Sequence, residues 1–172
     1  MSRNTFWGNI FKKREEDSLR HLLKRSPLFH DLKSRELALL EKLVYPRYYR
    51  AGEVIFERGD RGAGMYIISY GSVKIFVKTE EQEVELAVLG KDDFFGEVAL
   101  VGELSRTASA KALEDTELIG FFRPELLELI ARNPAAGVKV LLRLAEVLGT
   151  RLNRANEEIM NMKFPLKSIE EV

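Results

Sequence analysis

The stretch Leu89-Gly90-Lys91-Asp92-Asp93-Phe94-Phe95-Gly96-Glu97-Val98-Ala99-Leu100-Val101-Gly102-Glu103-Leu104-Ser105-Arg106-Thr107-Ala108-Ser109-Ala110 gathers the residue types of a small-molecule site. Gly96 has no Cβ, so the backbone there turns tightly and approaches a ligand closely. Glu97–Val101 reads as one short helical turn ended by Gly102, and the free N–H groups at its start suit an anion. Arg106 follows Gly96 by ten residues and supplies a fork of donors that matches a phosphate. The Glu97 carboxylate would repel that phosphate unless it binds another part of the same ligand, and a sugar hydroxyl is its natural partner. Arg106 opens a predicted strand whose next positions, Ala108, Ala110 and Ala112, are small and leave room beneath the segment. A ligand carrying both phosphate and ribose fits. Taken singly, Arg106 reads as a surface ion-pair cation and Glu97 as a carboxylate that complements a helix dipole. Their company in one segment favours binding.

The elements that must position this segment fall into three parts. Residues 16–45 read as N-terminal helices: Leu19, Leu22 and Leu23 form one stripe, Ser26-Pro27 interrupts, and Leu32, Leu37, Leu40, Leu43 and Val44 follow, with Pro46 closing the part. Between 46 and 122 the texture changes. Nine of the 12 glycines lie from Gly52 to Gly120, among short runs with a period of two. Val73, Ile75 and Val77 share one face, and Val84, Leu86 and Val88 share another. Glu53–Phe56, Met65–Tyr70, Thr107–Leu113 and Thr116–Phe122 are further candidate strands. Many short strands without long intervening helices predict an antiparallel sheet closed into a jelly-roll barrel, so the fold class is mainly β with flanking helices.

Over 123–163 helices return. Pro124 and Pro134 sit where a first helical turn tolerates proline, and Asn133 is a good N-cap. The last helix carries Val138, Leu141, Ala145, Leu148, Leu152, Ala155, Ile159 and Met162 in alternating steps of three and four, a heptad seam. A second stripe, Val140, Leu144 and Val147, covers only the first half. The pattern predicts burial of the first half against its own domain and a parallel coiled-coil homodimer through Leu141, Ala145, Leu148, Leu152, Ala155, Ile159 and Met162. The alternative is a helix folded back on its own domain.

Composition excludes several function classes. The 172 residues hold 27 basic and 27 acidic side chains, which disfavours a surface that coats nucleic acid. Cysteine is absent, and the two histidines, His21 and His30, lie in the predicted N-terminal helices. Disulfides, thiol catalysis and a polyhistidine metal centre are excluded, and no metal or other cofactor is expected. A cupin enzyme, similar in barrel, would need histidine ligands that are missing. Gly59-Asp60-Arg61-Gly62-Ala63-Gly64 has no following Lys-Ser/Thr pair, so it reads as a strand connection and not a phosphate loop. No apolar run is long enough to span a membrane. Residues 1–15 read as a flexible basic and aromatic tail without the continuous apolar run of a secretion signal, which makes the cytoplasm the expected location. Phe6, Trp7, Ile10 and Phe11 with a basic rim allow an interfacial anchor as the sharper reading of that tail.

The segment Phe95-Gly96-Glu97-Val98-Ala99-Leu100, with Arg106-Thr107-Ala108 after it, resembles the phosphate-binding cassette of cyclic nucleotide-binding domains. Gly52-Glu53-Val54-Ile55-Phe56 with Gly59-Asp60, Met65-Tyr66-Ile67-Ile68 with Gly71-Ser72-Val73-Lys74, and Leu86-Ala87-Val88-Leu89-Gly90 extend the resemblance from about residue 20 to about 162. It implies that Arg106 pairs with the cyclic phosphate and that Glu97 accepts from the ribose 2′-hydroxyl. Gly96, Val98 and Ala99 would line phosphate and ribose, Thr107 and Ala108 would flank phosphate and base, and Val73 and Leu86 would pack on the base. A hydroxyl at Thr107 is compatible with cAMP or cGMP, and cAMP is favoured. The last helix is similar to the dimer helix of the catabolite activator family. There Asn156 would read a base edge with its amide, while Ala155 lacks the hydroxyl of that family.

Transcriptional members carry a helix-turn-helix domain after this helix, whereas here residues 164–172 follow it, too few for a recognition helix and its support. The expectation is therefore a stand-alone cyclic nucleotide sensor, not an enzyme, that signals to an unknown downstream partner without binding DNA itself. An interaction module that keeps the fold but binds no nucleotide, and a transcription regulator truncated after its dimer helix, are the alternatives.

Overall fold

The computed structural model describes residues 19–102 and 104–163, so the aromatic tail and residues 164–172 lie outside the described residues. The elements are α1 (Leu19–Arg25), α2 (Ser34–Leu40), β1 (Tyr45–Tyr49), β2 (Val54–Phe56), β3 (Gly64–Tyr70), β4 (Val73–Lys78), β5 (Glu83–Leu89) and β6 (Phe94–Phe95). After these come α3 (Val98–Val101), β7 (Ser109–Ala112), β8 (Thr116–Phe122), α4 (Arg123–Arg132) and α5 (Pro134–Lys163). Two antiparallel four-stranded sheets, ordered β1-β8-β3-β6 and β2-β7-β4-β5, form the jelly roll, and helices flank it.

Two cores explain which residues form which element. The sheet-to-sheet core contains Tyr66, Ile68, Val73, Phe95, Ala110 and Leu118. The larger core lies between the first sheet and the helices, where Met65, Ile67, Ile119 and Phe121 meet Leu23, Phe29, Leu40, Leu129, Val140 and Leu144. β3 and β8 are thus buried on both faces, which accounts for their nearly continuous apolar runs. Asn133 caps α5 as expected, its Oδ1 accepting from the Ala136 N–H at 3.1 Å. The buried stripe of α5 is Ala136, Gly137, Val140 and Leu144, and from Arg151 onward every described residue is exposed.

Several expectations are corrected. Among the described residues the N-terminal part holds two short helices, α1 and α2, separated at Ser26-Pro27, and β1 begins at Tyr45. Pro46 does not close the helices but lies in β1, an edge strand, where its missing N–H costs no ladder bond. β6 is a strand of two residues and too short to show a period. Thr107 and Ala108 precede β7. Ala110 and Ala112 are packed solid, so of the three small residues only Ala108 borders open space. In β5 the register slips: Ile75 pairs with Ala87 but Phe76 pairs with Glu85, leaving Leu86 as the extra residue of a bulge. A one-residue slip moves side chains to the opposite face. Val84, Ala87 and Leu89 are half-buried, while Leu86 and Val88 are exposed. Phe76 is buried on the outer face, where the ammonium groups of Lys74, Lys78 and Lys111 stand 5.7, 6.0 and 5.3 Å from its ring centroid.

Candidate functional site

The β2–β3 connection holds the backbone of Arg106 in place. The Arg106 N–H donates to the Asp60 carbonyl at 2.8 Å, its own carbonyl accepts from the Gly59 N–H at 2.9 Å, and the Gly62 N–H donates to Leu104 at 3.1 Å. The guanidinium then turns inward, 9% exposed. Its Nη1 donates to the Gly96 carbonyl at 3.2 Å, and Nε has no hydrogen-bond partner among the described residues. Burial pulls the guanidinium below its ordinary pKa, against the opposing influence of Tyr66, Asp60, Glu97 and Tyr49. Burial also pushes the Tyr49 phenol up to about 12, with Tyr66 beside it. The cation therefore sits in a poorly solvated place, where an anionic partner has most effect.

Gly96 carries the turn that brings the backbone close. Its φ is +79°, and a Cβ there would come within 2.5 Å of Arg106 Nη1. Glu97 is 1% exposed. Its Oε1 accepts from Arg151 Nη1 at 2.5 Å, and Oε2 has no partner among the described residues. Arg151 comes from α5, stands over the Phe94 ring at 5.2 Å, and reaches the Phe94 carbonyl at 3.4 Å.

Gly96–Ala99 and Leu104–Ala108 line a cavity of about 380 Å³ together with Phe56, Ile75, Ala87, Leu89, Phe94, Phe95 and Arg151. That volume lies inside the range of about 300–1,000 Å³ for small-molecule sites. One side offers Arg106, backbone and the Glu97 carboxylate, and the rest is apolar. A buried cation with an open donor and a buried carboxylate with an open acceptor together fit a ligand with an anion and a hydroxyl, and the apolar wall fits a base.

Gly96, Glu97, Val98, Ala99, Arg106, Thr107 and Ala108 are brought together at one cavity, and the expected residues outside the cassette are not. Val73 is fully buried in the sheet-to-sheet core and Leu86 is 56% exposed, because the β5 bulge turns it outward. Ile75, Ala87 and Leu89 form the apolar wall in their place. Asn156 lies on the exposed end of α5 beside Asn153 and Asn161 and does not border this chain's cavity. Sequence reasoning missed Arg151 and Phe56. Arg151 is 54 residues from Glu97 and carries no local signal. Phe56 closes the candidate strand Glu53–Phe56, and its place in that strand gives no sign of a guanidinium beside its ring. Of the seam residues, Leu148 packs partly against the helical core, while Leu141, Ala145, Leu152, Ala155, Ile159 and Met162 are exposed. Among the described residues no helix is long and apolar enough to cross a membrane.

Residues 46–133 match the family model of the cyclic nucleotide-binding domain. The cyclic AMP receptor protein of Thermus thermophilus is 41% identical over 83% of this chain and 64% of its own length. The type II regulatory subunit of the cAMP-dependent protein kinase of Drosophila melanogaster is 32% identical over 74% of this chain and 34% of its own. The crystal structure of the Thermus thermophilus catabolite activator protein superposes with a TM-score of 0.73 at 41% identity, covering 81% of this chain and 64% of that one. The chain thus spans less than two thirds of the length of each of these relatives. Barrel, cassette and matched residues together define the class: the chain belongs to the cyclic nucleotide-binding domain family.

Proposed function

We propose that this chain binds a cyclic nucleotide, cAMP in preference to cGMP, and acts as a regulator. The observation that carries the reading is the pair of unsatisfied buried polar atoms, Arg106 Nε and Glu97 Oε2, at one cavity. A vacated pocket would have no need of either. Arg106 meets the cyclic phosphate, Glu97 Oε2 accepts from the ribose hydroxyl, and Ile75, Ala87 and Leu89 take the base. The names of the relatives, a receptor protein and a kinase regulatory subunit, support a regulatory role over catalysis and support cAMP.

The signal leaves through α5. Arg151 joins that helix to the carboxylate that receives the sugar, so a change at Glu97 is felt on the helix. Coupling requires a ligand that binds two conformations unequally, and Arg106 provides the difference by gaining an ionic partner. The exposed seam of α5 pairs with a second copy, and the homodimer presents itself to a downstream protein.

Thermal unfolding with each nucleotide tests the reading. A ligand at 100 times its dissociation constant adds about 2.7 kcal/mol. The expected result is a rise in Tm with cAMP and a smaller one at equal cGMP. No shift with either, and no heat in calorimetry, favours the interaction module that binds no nucleotide.

A further inference from the structure

The side chain of Arg106 has a second hold, from a strand outside the cassette. Its guanidinium carbon stands over the Phe56 ring, 4.0 Å from the centroid. Phe56 is fixed in turn: its ring stacks on Tyr66 at 6.3 Å and 25° and lies 5.8 Å from Phe95. Tyr66 itself meets Phe122 edge-on at 6.0 Å and 90°. The register between β2 and β7 shifts between Val54 and Phe56, an irregularity in the strand that delivers this ring to the cavity. The loop that follows Phe56 also carries the backbone bonds of Gly59 and Asp60 to Arg106. One segment, 56–60, thereby holds both the main chain and the guanidinium of the same residue.

The chemistry of that hold matters. A carboxylate would also fix the fork, but it would occupy N–H donors and cancel the charge. A ring face attracts the cation electrostatically and takes no donor. We propose that Phe56 is a positioning residue for Arg106: its ring fixes the guanidinium while leaving the donors to a phosphate. This deepens the nucleotide-binding reading and rests on it.

Two readouts test the proposal on the whole chain. The first needs no nucleotide: the Nε–H resonance of Arg106, assigned by its loss in Arg106→Gln, is expected at a ring-current-shifted position. It stays shifted in Phe56→Tyr and moves to the ordinary arginine position in Phe56→Leu. The second is calorimetry with cAMP. Phe56→Leu weakens binding about 5- to 30-fold, the range of a partly to fully desolvated cation–π contact, and Phe56→Tyr restores it. In the Arg106→Gln background Phe56→Leu has no further effect. Equal affinity of Phe56→Leu and the unaltered protein, an unshifted resonance, or the same fold-loss with Arg106→Gln already in place each overturns the proposal. If the unaltered protein takes up neither cAMP nor cGMP, the nucleotide reading itself falls and this inference with it.

Discussion

Arg106 and Glu97 are opposite charges at one cavity that do not neutralise each other. Each keeps a buried polar atom without a partner among the described residues, an arrangement that costs stability in the protein alone. Arg106→Ala is therefore expected to weaken cAMP binding by at least about 1.5–3 kcal/mol, the worth of a charge-assisted hydrogen bond. Equal affinities in calorimetry would remove Arg106 from the site. The cassette residues were legible before the structure because they follow one another along the chain, and the glycine, acid and arginine spacing is a local property. Phe56 and Arg151 were not, because a ring that stacks on a guanidinium and an arginine that reaches across from another helix leave no trace in spacing.

At the scale of elements, two devices set the site. The β5 bulge selects which residues face the cavity, and the alternation read from Val84, Leu86 and Val88 could not reveal it, since one inserted residue inverts the phase. The second device ties the N-terminal segment to α5. Glu36, 8% exposed, accepts from Lys139 Nζ at 2.7 and 2.9 Å and from the Lys33 N–H at 2.6 Å, and Asp31 pairs with Arg143 at 2.6 Å. Burial of Glu36 would raise its pKa, but the bonds to Lys139 and Lys33 outweigh it and hold the carboxyl below 4.5. Asp31 is lowered as well, chiefly by Arg143. A carboxyl with a depressed folded-state pKa binds protons more readily in the unfolded chain. Its contribution is thus fully present above 4.5 and is lost as the pH falls through and below that value. Glu36→Gln is expected to lower Tm at neutral pH and to flatten the acid limb, leaving the slope due to the other lowered carboxyls, Asp31, Glu41 and Glu83. An acid limb as steep in the variant as in the unaltered protein would show that Glu36 does not tie the segment down.

At the scale of the whole molecule, α5 carries an apolar face that its own domain does not cover. Leu141, Leu152, Ile159 and Met162 are exposed large apolar residues at heptad spacing, and the helix runs on beyond its own core. In a symmetric pair each leucine is buried in both copies, so its loss counts twice. Burial of one leucine is worth about 1.5–3 kcal/mol. Leu152→Asp is expected to turn a dimer into a monomer in sedimentation velocity with little change in the barrel. An unaltered protein that sediments as a monomer with and without cAMP would leave the helix to another partner.

By itself the sequence determined the class of the barrel, the cassette and the extent of the last helix, because these depend on periodicity and on residues close along the chain. Only the tertiary structure decided which wall lines the cavity and which distant residues reach it. The physical reason is that the β5 register, the Phe56 ring under Arg106 and the Arg151 hold on Glu97 arise when segments far apart in sequence are packed against each other.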